Sequence, residues 1–201
     1  FIMSFNNAKP ILFNTEMVKA ILDGRKTQTR RVIPLKNNDL IFTGFVVSST
    51  AKNREGYCAF GKNKEQDLEF IKPKYKVGDV LYVKETFNLN GDCWGVAYPL
   101  KINYKADSKE NGFKWISSNI MRKEYARIFL KVTNIRVERL QDIILDDIEK
   151  EGFCNSTGFY NHDVDNALDW WEQLWNSTAK DGYKWEDNPY IFVYEFERIK
   201  K

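Results

Sequence analysis

The chain has 201 residues, 43% of them hydrophobic, enough to bury a full core and to form one domain over residues 3–201. Its 31 Lys and Arg nearly balance its 28 Asp and Glu, so the net charge is only +3 and any anion-binding footprint must come from clustering. No apolar run approaches the roughly 20 residues that span a bilayer, and no signal peptide is expected.

In chain order, Ile11 to Phe13 reads as a short strand, and Asn14 or Thr15 is placed to cap the helix that follows. In that helix, Met17, Val18, Ile21 and Leu22 recur on one face. Gly24 stands where the helix should stop and suits a left-handed terminal residue. The next seven positions, Arg25-Lys26-Thr27-Gln28-Thr29-Arg30-Arg31, carry four cations and three hydroxyl or amide groups. These are donors suited to phosphates, carbonyls or base edges, although a solvated basic turn has the same composition.

Residues 26–33 mix Thr, Val and Ile with charge, as a half-polar strand does, and Pro34 ends it. A strand over residues 41–47 is followed by long loops around a hairpin, up to Lys76. Short strands are expected at residues 80–84 and 93–98, with Gly91-Asp92 as turn chemistry between them. Glu85, at the end of the first, can accept from an exocyclic amine or form a salt bridge to Arg30, Arg31 or Arg127. Residues 126–137 alternate as a long strand, and Leu145 to Lys150 reads as a helical turn. Val164, Ala167, Leu168, Trp171, Leu174 and Trp175 form a helical stripe, with Asp163 as cap. Residues 190–199 alternate and close the fold as a strand. Many short strands with a few helices give an α+β class built on a barrel.

Cys58, Cys93 and Cys154 have no paired spacing and read as reduced cytoplasmic thiols. His162 is the only histidine, in a polar stretch, so no metal or cofactor is expected. Most of the 6 Trp, 10 Tyr and 14 Phe belong to a core. Tyr82, Trp94 and Trp115 are candidates for stacking on a base.

Gly24-x-Lys26-x-x-x-x-Arg31 resembles the GxKxxxxR signature of the ASCH family, PUA-like β-barrels associated with RNA and modified nucleosides. The resemblance continues through Tyr75 to Phe87, Ala126-Arg127-Ile128, Val137 to Ile143, Glu149 to Phe153 and Asn188-Pro189-Tyr190, which look like phage and prophage ASCH-like proteins. It implies an ASCH-like barrel with flanking helices in a bacterium or phage-infected host, with insertions near 35–72, 88–115 and 153–185. Lys26, Thr29 and Glu151 match the base, nucleophile and proton donor of the small bacterial acetylcytidine amidohydrolases. Gly24, Arg25, Arg30, Arg31, Glu85 and Arg127 are the expected binding residues, for RNA or a nucleotide or nucleoside. A non-catalytic phage accessory module that binds nucleic acid, and a ribonuclease, are the alternatives, as is a plain Lys26–Glu151 ion pair with Thr29 as a strand residue. On a regular strand Lys26 and Thr29 would face opposite sides, so their meeting needs a bulge or a turn.

Overall fold

The computed structural model describes residues 5–37, 39–47, 53–63, 66–90, 101–109, 112, 114–154 and 163–200. The expected strand at 93–98, the Gly91-Asp92 turn, Cys93, Trp94 and His162 lie outside them, as do the side chains of Asp163 and Val164.

The fold is α+β. Among the described residues ten strands run β1 (Lys9–Leu12), β2 (Gln28–Val32), β3 (Ile41–Phe45), β4 (Cys58–Asn63), β5 (Gln66–Ile71), β6 (Val80–Lys84), β7 (Phe87–Asn90), β8 (Lys101–Tyr104), β9 (Phe129–Arg139) and β10 (Tyr190–Ile199). The α-helices are α1 (Thr15–Leu22), α2 (Leu145–Lys150) and α3 (Asp163–Thr178). No helix among the described residues is long and apolar enough to cross a membrane.

One five-stranded sheet, in the order β1-β6-β9-β10-β2, gathers strands from both ends of the sequence. Its β1–β6 pair is parallel and the other pairs are antiparallel. The five strands expected from alternation and β-propensity (residues 11–13, 26–33, 80–84, 126–137 and 190–199) all belong to it, with ends shifted by a few residues.

The sequence of β10 explains why it sits inside the sheet. Ile191 and Val193 face a core with Ile148, Ala167, Trp171 and Trp175 from α2 and α3. Phe192, Tyr194 and Phe196 face a second core with Phe13, Val18 and Ile21, and with Cys58 and Phe60 of β4. Every position from Ile191 to Tyr194 is buried, as a two-faced strand requires.

The hairpin expected after β3 is β4–β5, and it pairs with β3 into a three-stranded sheet where long loops were expected around it; β7 pairs with β8, a pairing the sequence does not indicate. β4 carries a buried run, Cys58 to Gly61, with small residues that give no alternation signal. Its inner face joins the main core, so this segment is packed in and is not a loose excursion. Cys58 is buried and free, with burial pushing its thiol up to about 12, and Cys154 is exposed and free.

Among the described residues the three sheets are open, with no ladder between the edge strands β1 and β2. In a flat sheet those edges would stand roughly 19 Å apart, four spacings of about 4.8 Å. Yet Arg31 on β2 donates to the Leu12 carbonyl of β1 at 3.2 Å, and its guanidinium lies 5.5 Å from the Phe13 ring centroid. The sheet therefore curls until one arginine bridges its edges.

Helix α1 begins as the sequence indicates, with the Asn14 carboxamide accepting from the Met17 amide at 2.8 Å. Asn14→Ala should cost about 1 kcal/mol, the usual value of an N-cap, measurable as a lower midpoint in denaturant with an unchanged slope.

Candidate functional site

The site begins at the reversal after α1. Asp23 closes the helix and Gly24 has φ +80°. The amides of Arg25 and Lys26 then both donate to the Ala20 carbonyl, at 2.9 and 3.0 Å. This turn sends the Lys26 side chain inward before β2 starts at Gln28, so strand phase does not govern where it points. The end of α2 docks on the same turn, with the Thr27 amide donating to the Lys150 carbonyl at 2.9 Å.

Lys26 meets Glu151 there. Its ammonium donates to Glu151 Oε2 at 2.6 Å and to the Glu151 carbonyl at 2.9 Å. Both side chains are buried, at 0% and 2% exposure. Arg30 donates to the other carboxylate oxygen at 3.0 Å and to Asp147 at 2.9 Å, and reaches Glu138 at 3.3 Å. Its guanidinium lies 5.6 Å from the Trp171 ring centroid, and its Nε has no hydrogen-bond partner among the described residues. Arg136 extends the network to Asp147, Glu138 and Glu195.

Burial pushes the Lys26 ammonium below its ordinary value; Glu151 opposes this, and Arg31 and Arg30 add to the depression. Burial alone would raise Asp147, but Arg30, Gln28 and Arg136 hold its carboxyl below the ordinary value.

Thr29 and Arg31 point to the other face of β2. Thr29 is buried, and its hydroxyl accepts from Arg31 at 2.7 Å. Arg31 also donates to its neighbour's carbonyl, Arg30 O, at 2.8 Å. Lys26 and Arg31 both stand over Phe13, at 5.6 and 5.5 Å. Arg31 is thus the neighbour that Lys26, Thr29 and Glu151 share, through a hydrogen bond to Thr29 and through its charge to the other two, and none of the three is on the lining of the cleft beside them. A direct Lys26–Thr29 hydrogen bond is not among those made by the described residues.

The seam between β1 and β2 opens into a cleft of about 730 Å³. Its apolar lining comes from Leu12, Phe13, Met17 and Pro34 and, from α3 and the segment after it, Trp175, Ala179 and Tyr183. Arg30 and Arg31 line it, with Asn14, Thr86, Ser118 and Lys180.

The remaining expected binding residues are placed otherwise. Arg25 is bound to the Gly152 carbonyl at 2.6 Å and to Asp23 at 3.0 Å. Glu85, 1% exposed, is held in a two-point pair by Arg127 at 2.9 and 3.0 Å. Arg127 also pairs with Asp107 and lies 3.9 Å from the Tyr104 ring centroid. Of the possible Glu85 partners, Arg127 is the one the fold delivers. Tyr82 and Trp115 are half-buried and do not line the cleft.

Asp147, Glu138 and Arg136 were missed as members of the network, and Phe13, Trp175 and Lys180 as cleft residues. Asp147 carries a sequence signal only as an acid in the first turn of α2, where it would ordinarily serve the helix dipole. The chain matches no protein-family model, no curated protein and no solved structure.

Gly152 is where α2 touches the turn. Its φ is +106°, and an added Cβ would lie 2.9 Å from Ala20 Cβ and 3.4 Å from Lys26 Cβ. Gly24 has open space, so Gly24→Ala should cost only the backbone strain, about 1 kcal/mol, whereas Gly152→Ala should cost roughly 3 kcal/mol through strain plus overpacking. Equal losses in denaturant melts would contradict the close approach.

Burial raises the Glu85 carboxyl above its ordinary value even with Arg127 opposing it. Arg127→Leu should destabilise by roughly 3 kcal/mol near neutral pH, because it strands a buried charge. A carboxyl whose folded pKa exceeds its unfolded value costs stability as pH rises from the ordinary carboxylate range through the raised value. The variant's deficit should therefore shrink in acid, where Glu85 is neutral, and a deficit independent of pH would refute this account.

Proposed function

We propose that the chain is an ASCH-like, PUA-related cytoplasmic protein that receives RNA or a modified nucleoside in the cleft between β1 and β2. Its chemistry is hydrolysis of an acyl or amide group on the base. The observation that carries this reading is the buried Lys26–Glu151 pair at 2.6 Å, within the field of Arg31, which holds the Thr29 hydroxyl at the seam of the curled sheet. The approach of β1 and β2 supports the barrel reading, with Arg31 standing in for the missing ladder.

The groups suit a hydroxyl-based acyl transfer. Threonine is a weak nucleophile until a base takes its proton, and desolvation makes a neutral Lys26 accessible. Neutral Lys26 takes the Thr29 proton as Oγ1 attacks the carbonyl carbon. That proton passes through Glu151 to the departing nitrogen, the C–N bond breaks, and an acyl-threonine remains. Water then hydrolyses the ester, so amide and water become acid and amine with the protein unchanged. For this sequence Arg31 must release the Thr29 hydroxyl, and it is then placed to donate to the developing oxyanion.

A non-catalytic binding module is the second reading. The Arg31–Thr29 hydrogen bond favours it, since it occupies the nucleophile.

Screening N4-acylated cytidines and related nucleosides should reveal turnover that falls at least about 100-fold in Lys26→Ala and in Thr29→Ala. The double variant should lose little more, because the residues act as one unit. Lys26 is depressed and works neutral, so the rate should rise with pH until it is deprotonated. Binding without turnover across the panel would leave the module reading standing alone.

A further inference from the structure

The cleft has an unbalanced charge. Arg30, Arg31 and Lys180 line it, and among the described residues no Asp or Glu does. Arg30 is neutralised by Glu151, Asp147 and Glu138. Arg31 is not. Its three hydrogen bonds go to neutral oxygens, those of the Thr29 hydroxyl and the Arg30 and Leu12 carbonyls. The carboxylate whose field reaches it, Glu151, is already shared by Lys26 and Arg30. Among the described residues neither Arg31 nor the exposed Lys180 has an ion-pair partner.

A half-buried guanidinium without a counter-charge is costly unless an anion joins it. Helix α1 adds to the same potential, because it starts at the cleft with Asn14 and Thr15 on the lining. Glu16, the acid of that first turn, is 79% exposed, pairs with Lys19 and is not on the lining. The volume of about 730 Å³ falls within the roughly 300–1,000 Å³ of ligand pockets. Its aromatic wall of Trp175 and Tyr183 suits a flat ring.

We infer that the cleft takes its nucleoside as a phosphate ester, with the phosphate on Arg31, Lys180 at the mouth and the base against Trp175 and Tyr183. This rests on the nucleoside reading above and narrows it from a neutral nucleoside to a nucleotide. The phosphate has two possible sources, the monoester of a free nucleotide and the diester of an RNA strand. Arg31 requires only the shared chemistry.

The test is calorimetric titration of the full chain with cytidine, cytidine 5′-monophosphate and an unphosphorylated cytidine trinucleotide. At least one phosphate-bearing ligand should bind about tenfold or more tightly than cytidine. A preference for the mononucleotide assigns the monoester, and a preference for the trinucleotide assigns the diester. Affinity for the preferred ligand should fall as salt rises. Arg31→Gln, which keeps an amide donor for Leu12 but removes the charge, should abolish the preference. Lys180→Ala, on the exposed rim, should reduce it without affecting the fold. Equal affinity for cytidine and both phosphate-bearing ligands would overturn the inference and leave the nucleoside reading intact. No binding of any of the three would overturn both.

Discussion

One carboxylate holds the site together. Glu151 lies where three pieces of chain meet: the turn after α1, strand β2 and the end of α2. It is the shared partner of Lys26 and Arg30, and all three side chains are at most 2% exposed. Buried cations are tolerated only when paired and hydrogen-bonded. The position of Glu151 therefore fixes where both cations lie, and through them the start of β2. The glycine beside it lets α2 come close enough for this, and Asp147 one turn earlier takes a second bond of Arg30.

The cleft follows from an incomplete closure of the sheet. Had β1 and β2 formed a ladder, their backbone groups would have filled the seam with hydrogen bonds. Instead the gap is spanned by Arg31 and padded by Phe13, and the space alongside is lined by residues of both edge strands. The arginine that joins the edges also has no ion-pair partner among the described residues. One side chain thus contributes both to closing the seam and to the potential beside it.

Much of this was legible in the sequence, and the exceptions have physical causes. The main sheet could be read because its strands combine alternation with β-branched and aromatic residues. Helix α1 and its Gly24 terminus carried their own capping chemistry. Lys26 and Glu151 could be singled out, but their contact spans 125 positions and depends wholly on tertiary structure. Arg30 and Arg31 look equivalent as neighbours in a basic run. Strand alternation then turns one into a saturated acidic network and the other onto the cleft. The extent of the β3-β4-β5 sheet and the β7–β8 pairing escaped because their segments are polar, small or short, and owe their order to packing and pairing. Composition showed no acidic depletion around the cleft, since the charges cancel over the whole chain.

The order of strands in space sets an order in time. β10 is the last element in the sequence, yet it lies between β9 and β2, and its partners in β2 are separated from it by most of the chain. As the protein is made, β2 has no neighbour to pair with until that final strand emerges. The edge it will fill stays open, with only α1 beside it in sequence. Pairings of such wide sequence separation form slowly and leave unpaired strand edges exposed meanwhile. Without residues 190–199 the sheet loses the strand that joins β9 to β2, and both cores lose the side chains packed from its two faces, so neither core is complete before that strand arrives.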